Sequence, residues 1–339
     1  YLSNCSLKPV LGFSLNRPAG VFLSPICINP FKNVPVVRIN LLQLTLFPFN
    51  VINPLISLFE KINLVTVVGH NTTLLPHMLK YYESMVDEIF VVVYRQSEDD
   101  GILEEVKRCG VEPYMVVTEP KFNWEKVTEL YNTVKQTKSD EWWVVADDDE
   151  FHLYPKSIRK MIKECEENGW EFITGGFIDR IGKDGTFPKV HKYTDVWKAF
   201  PNAGFFRYPM SGACPNKVTL MKGHQWVTPG QHYADFQDGT NSWGREHPKR
   251  YPIREVFTQV HHFKWDDTCM ERIKRVADVK KDYSYSEEYQ IMYDAIVNSG
   301  WKIDLNNTTY KVEKLKDFSY IRYNDYTKWS LIKNKIVSI

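Results

Sequence analysis

From Lys61 onward, short apolar runs rich in β-branched residues alternate with stretches of helical spacing. Ile62–Val68 (INLVTVV), Glu88–Tyr94 (EIFVVVY), Pro113–Thr118 (PYMVVT) and Glu141–Ala146 (EWWVVA) predict four strands. Between them, Leu74–Met85, Ile102–Cys109 and Asn123–Thr137 carry apolar residues at the period of a helix. Strands alternating with helices predict βαβ units and a parallel sheet. Continuously apolar strands predict that both faces of that sheet are covered. In such sheets ligands bind beyond the carboxyl ends of the strands. The fourth strand runs straight into Asp147-Asp148-Asp149-Glu150 at one of those ends.

Past Lys156 the periodicity weakens. Ser157–Asn168 predicts a helix closed by Gly169, and Trp170–Phe177 a strand leading to Asp179-Arg180. Residues 186–250 are rich in Gly, Pro and aromatics, with strand pieces near Lys217–Met221; Glu255–Trp265 reads as a strand and Thr268–Ala295 as helical. Residues 1–60 differ in texture, with Pro, Asn, Leu and Phe and few charges, and are expected to form a separate extension. Ile39–Phe59 is uncharged, but Pro48, Pro54, Asn40, Gln43, Asn50 and Asn53 disfavour a bilayer span, so membrane association is not required. The chain starts at Tyr1 and shows no signal-peptide layout, which reads as a fragment or processed product.

Composition adds limits rather than identity. The chain has 339 residues, 43% of them hydrophobic, and 43 basic side chains balance 42 acidic ones. Near-neutrality excludes a whole-molecule pull toward nucleic acid or anionic lipid. The six cysteines are scattered without zinc spacing and read as reduced core residues. Sequons stand at Asn4, Asn71, Asn306 and Asn307; a glycan on Asn71 would block a strand-end pocket, which favours a cytoplasmic location.

The acidic run is the sharpest candidate site. Several carboxylates at one strand end repel unless a cation neutralises them. Hard divalent ions such as Mn²⁺ and Mg²⁺ take one or two carboxylates together with substrate phosphates. An Asp-x-Asp pair at this position therefore reads as a clamp for a metal–diphosphate. In Val260-His261-His262-Phe263-Lys264-Trp265, strand alternation turns the two histidines to opposite faces, so that one can meet the metal. Lys264 would share the face of His262 and meet a phosphate. Asp179, Asp235, Asp238 and Glu246 are carboxylates able to serve as a general base, and His224 and His232 bracket a Thr-Pro-Gly turn that could line an acceptor site. No Gly-rich dinucleotide loop, Walker loop or serine nucleophile elbow is present.

In their order along the chain these motifs resemble the family-2-like group of GT-A nucleotide-sugar glycosyltransferases. The resemblance rests on Val65–Asn71, Asp147–Phe151, Gly175-Gly176-Phe177-Ile178-Asp179-Arg180 with Asp184-Gly185, and Phe200-Pro201. It continues through Lys217-Val218, Gly230-x-His232 and His261–Trp265, covering residues 61–285 and leaving 286–339 as a helical C-terminal extension. It implies an α/β, Rossmann-like GT-A fold with a mixed, mainly parallel sheet flanked by helices. It also implies a nucleotide-diphosphate donor, most often a UDP-sugar, Mn²⁺ or Mg²⁺ as cofactor, and inversion at the transferred sugar. The acceptor would be a hydroxyl on a glycan, lipid or protein.

Carried onto this chain, the resemblance makes Asp147 a carboxylate on the ribose and metal side, Asp149 a metal ligand, and His262 the residue completing the metal's coordination. Val68, His70, Asn71 and Arg95, at the ends of the first two strands, are expected to line the donor pocket with Asp147, Asp148 and Lys264. The family's common Glu-Asp pair is not plain here, which leaves the base among Asp179, Asp238 and Asp235. A metal-dependent nucleotidyltransferase or phosphohydrolase could use the same carboxylates. A non-catalytic carbohydrate-binding domain is the other alternative.

Overall fold

A computed structural model of the protein describes residues 60–204, 216–235, 247–252, 258–278 and 285–306. The elements of the first half are β1 (Ile62–Val68), α1 (Leu75–Tyr82), β2 (Glu88–Arg95), α2 (Ile102–Arg108), β3 (Met115–Thr118), α3 (Trp124–Gln136) and β4 (Trp142–Val145). After them come β5 (Glu150–Leu153), α4 (Ile158–Asn168), β6 (Phe172–Ile181), α5 (Val196–Ala199) and β7 (Asn202–Gly204). The chain continues through β8 (Asn216–Lys222), β9 (Trp226–Val227), β10 (Ala234–Asp235), β11 (Thr258–His262), α6 (Cys269–Asp278) and α7 (Ser286–Asn298).

Nine strands form one sheet in the order β3-β2-β1-β4-β8-β6-β11-β5, with β7 added on β6. Strands β3, β2, β1 and β4 pair in parallel. Strand β8 runs against both β4 and β6, while β11 lies parallel to β6 and β5 runs against β11. The fold class is therefore α/β with a mixed sheet in which most strands share one direction, flanked by helices.

The continuous apolar runs are explained by burial on two sides. Trp142 and Trp143, adjacent in β4 and both fully buried, point to opposite faces. Trp142 joins Met78, Tyr82, Met161, Ile162 and Cys165 under α1 and α4. Trp143 joins Leu130, Tyr131 and Val134 of α3 with Val65, Val92 and Met221. A third cluster gathers Trp265, Cys269, Ile273, Met292 and Ile296 where α6 and α7 pack beside Ile181.

Local signals set several boundaries. Asn123 accepts from the amides of Glu125 and Lys126 at 2.9 and 3.2 Å and caps α3. Gly169 closes α4 at φ 71°, as expected for a C-terminal glycine. At Gly175 a side chain would stand 2.0 Å from the carbonyl of Thr258, so only glycine permits β6 and β11 to pair there.

The mixed half departs from the sequence reading in detail. A short strand, β5, begins at Glu150 itself, so the acidic run ends inside the sheet. Strand β6 continues to Ile181, which places Asp179 within it rather than at its end. The expected helix 268–295 is two helices, with 279–284 outside the described residues. Among the described residues Cys109, Cys165 and Cys269 are unpaired. No helix of the described residues is long and apolar enough to cross a membrane.

Candidate active site at the carboxyl end of the sheet

The register of three strands assembles the centre of the site. His262 in β11 lies opposite Glu150 of β5 on one side and beside Asp179 of β6 on the other. Neighbours in such a row share one face of the sheet. The turn Asp147–Asp149 joins β4 to β5, and the amide of Phe263 donates to the carbonyl of Asp149 at 2.9 Å, fixing that turn against β11. Asp149, Glu150 and His262 can each offer a ligand atom within 4.8 Å of the others. Two carboxylate oxygens and an imidazole nitrogen form a donor set able to hold a divalent metal ion.

The orientation of His262 is set from behind. Its Nδ1 lies 3.0 Å from Asp179 Oδ1, which also accepts from the Trp265 indole at 3.0 Å. A carboxylate only accepts, so Nδ1 carries a proton toward Asp179, and Nε2 faces the Asp149 carboxylate at 3.5 Å from Oδ2. Phe177 stacks on the imidazole with ring centres 4.7 Å apart. Burial disfavours the charge on His262, but the Asp149 and Asp179 carboxylates outweigh it and raise its pKa. Burial likewise opposes the charge on Asp149, while His262 and then Arg272 hold that carboxyl well below its usual range. Arg272 Nη1 stands 3.8 Å from Asp149 Oδ2.

Asp147 takes a different set of partners. Its Oδ1 accepts from the Tyr131 hydroxyl at 2.7 Å, and its Oδ2 lies 3.5 Å from the buried Lys217 ammonium. Lys217 also pairs with Glu150 Oε1 at 2.8 Å and, against the cost of burial, holds the Glu150 carboxyl down to about 2. Burial and the neighbouring Asp149 and Asp147 push Asp148 well above its ordinary value. The structure therefore groups Asp149 and His262 with Glu150, and directs Asp147 toward Tyr131 and Lys217.

The other residues read from the sequence are placed as follows. Val68 is fully buried among Leu75, Val91, Val93 and Val106, so its side chain belongs to the core. Asn71 donates to Asp266 at 3.2 Å and Thr268 at 2.9 Å, clamping the end of β1 to the segment before α6. Arg95 donates to Thr118 Oγ1 and to the Glu98 carbonyl, both at 3.1 Å, tying the ends of β2 and β3 together. His70 faces the Phe122 ring at 5.6 Å, beside a cavity of about 690 Å³ lined by the stretch Glu119–Glu125. None of Asp147–Glu150 or His262 lines that cavity.

Strand β11 ends at His262, and Lys264 leaves the sheet to stand over the Trp265 ring at 4.7 Å; it still adds to the positive field on Asp149. Asp235 is the last residue of β10, opposite Trp226 of β9. Asp238 and Glu246 lie outside the described residues. His232 reaches the site side through Nδ1 on the Asn216 carbonyl at 2.9 Å. His224 contacts Ser139 and Glu171 where β8 ends, at the opposite end of the sheet, because β8 runs against its neighbours.

Lys217, Arg272, Tyr131, Gln231 and Phe177 form much of the site, yet periodicity gave them no role. Lys217 and Phe177 carried a signal only as parts of the ordered motifs Lys217-Val218 and Gly175-Gly176-Phe177.

No family model matches the chain, and no curated protein does. Solved structures give distant likenesses. The mannosyltransferase PcManGT from Pyrobaculum calidifontis, in complex with GDP-Man and Mn²⁺, is 10% identical, with 70% of this chain and 69% of that one covered at a TM-score of 0.32. S. aureus TarS 1–349 is 10% identical over 70% of this chain and 72% of that one, at 0.29. The match spans 42% of a longer TarS structure. A putative glucose-1-phosphate thymidylyltransferase from Bacillus anthracis is 10% identical over 68% of this chain and 99% of that one, at 0.29. The functional reading therefore rests on the chemistry of the site itself.

Proposed function

We propose that the protein is a divalent-metal-dependent glycosyltransferase that moves a sugar from a nucleotide-diphosphate donor, a UDP-sugar in the first instance, to a hydroxyl acceptor on a glycan, lipid or protein. The observation that carries this reading is the Asp149–Glu150–His262 group at the carboxyl ends of the strands, with Asp179 orienting His262 so that Nε2 would serve a metal once its proton is displaced. Bound at this group, Mn²⁺ or Mg²⁺ would supply Lewis-acid charge to a leaving diphosphate.

The protein's own residues would do the rest. Arg272 and Lys264, on the Asp149 side, would meet negative charge as it develops on the donor. Asp179 would orient His262 rather than take the acceptor proton, because its Oδ1 already accepts two donors. Asp235 and Asp238 are then the first places to seek the base, and inversion is the expected stereochemical course. The cavity by His70 and Phe122 would receive the nucleoside end of the donor.

Incubation of the full chain with a panel of nucleotide sugars and Mn²⁺, followed by product analysis, tests the reading. Free nucleoside diphosphate, lost in Asp149→Ala, is the expected product. Nucleoside monophosphate or pyrophosphate would instead establish cleavage at phosphorus, the chemistry of a nucleotidyltransferase or phosphohydrolase. The absence of any binding of Mn²⁺ with UDP would leave the carbohydrate-binding alternative.

A further inference from the structure

Lys217 stands at the start of β8 and is 1% exposed. Four oxygens surround its ammonium. Glu150 Oε1 lies at 2.8 Å, Asp147 Oδ2 at 3.5 Å, the Gly230 carbonyl at 2.9 Å and Gln231 Oε1 at 2.6 Å. The Phe177 ring closes one side at 5.1 Å. Two carboxylates, a carbonyl and an amide oxygen are the ligand types that hard cations take in proteins. The segment supplying the last two is shaped for the purpose. Gln231 is buried at φ 52°, a backbone region costly for a residue with a side chain, and Gly230 at φ 68° lies under the His232 ring, where a side chain would come within 2.6 Å.

We propose that Lys217 is a built-in cation: its ammonium occupies an all-oxygen cage that would otherwise take a free ion. It thereby divides the acidic run into an inner part closed by a buried lysine and an outer, less buried part, Asp149 with His262 beside Arg272. Glu150 joins the two. Through the cage Lys217 also holds the Thr228–His232 segment against the acidic turn, which places His232 beside Phe177, with ring centres 6.3 Å apart. Lys217 is thus a positioning residue. The inference rests on the proposed metal reading only for the statement that the outer part takes a divalent ion.

Lys217→Ala deletes the ammonium and leaves the cage vacant. Titration of the full chain with Mn²⁺ alone should then show one more bound equivalent in Lys217→Ala than in the wild type. Equal stoichiometry in the two proteins overturns the proposal. The wild-type count tests the outer site separately. A wild type that binds no Mn²⁺, beside a variant that binds one, removes the metal reading and supports the cage.

If Lys217→Ala does not fold unaided, its thermal unfolding is followed after refolding with n-propylammonium, which replaces the missing atoms, or with n-propanol. Recovery with the amine alone is expected. An equal response to amine and alcohol, or none to either, would mean a packing role only and also overturns the proposal.

Discussion

Strand β8 carries a buried lysine contact at each end, and the two differ in kind. At its start, Lys217 is paired with two carboxylates, which raise its pKa despite full burial. Near its finish, Lys135 of α3 is likewise buried, but among the described residues its ammonium meets the Met221 thioether at 3.4 Å and the Gln225 carbonyl and no carboxylate. There burial prevails and pulls Lys135 down to about 7. An ammonium in a low-dielectric interior is kept charged only by opposite charge; without it, the neutral amine is favoured. The carboxyl end of the sheet is therefore built to hold charge, and the opposite end tolerates a lysine by letting it lose its charge.

The largest test of this contrast is Lys217→Met. It should cost about 3–5 kcal/mol in urea unfolding, because removal of one member of a buried pair strands the other's charge. Adding Glu150→Gln should recover part of that loss. A double variant no more stable than Lys217→Met would break the pairing argument.

Lys135→Met should behave oppositely. The folded protein releases this proton near pH 7 and the unfolded chain near pH 10.5. Between these values the unfolded state holds the extra proton, so wild-type stability rises with pH, by on the order of a few kcal/mol. Below pH 7 both states are protonated and the penalty is fully present. Lys135→Met should be more stable than the wild type at pH 7, and should lose this rise when urea unfolding at pH 7 is compared with pH 9.5. An unchanged slope would show that Lys135 keeps its charge.

A smaller effect is expected at the supporting contact of the charged end. Asp179→Asn should weaken Mn²⁺ binding in titration calorimetry by roughly 10–100-fold while leaving the fold intact. Wild-type affinity would mean that His262 needs no such orientation. Smallest is Asn123→Ala, which removes the cap of α3 and should cost about 1 kcal/mol in thermal or urea unfolding without altering either lysine's behaviour.

Much of the parallel half was legible because its signals are local. EIFVVVY and EWWVVA can be buried on two faces only as inner strands, and Gly169 and Asn123 mark helix ends through their own backbone needs. The site was legible in part. Asp149 and His262 stood out through residue type and position at strand ends. Glu150 was seen as one more carboxylate, since nothing nearby in sequence reveals that it opens a strand paired with β11. Asp179 read as a candidate base until its neighbours were known: a carboxylate looks the same in sequence whether it faces solvent or two buried donors. The alternation that put Lys264 beside His262 failed because the chain leaves the sheet at Phe263, where a backbone bond to Asp149 replaces strand pairing.

The sequence by itself determined the class of fold and the presence of carboxylates and histidine at one end of the sheet, because hydrophobic period and residue type are properties of short segments. Only the tertiary structure decided which carboxylate meets His262, which meets Lys217, and that His224 lies at the far end. Those outcomes depend on strand order and register between distant segments, and a shift of one residue in register would turn the same side chains to the other face.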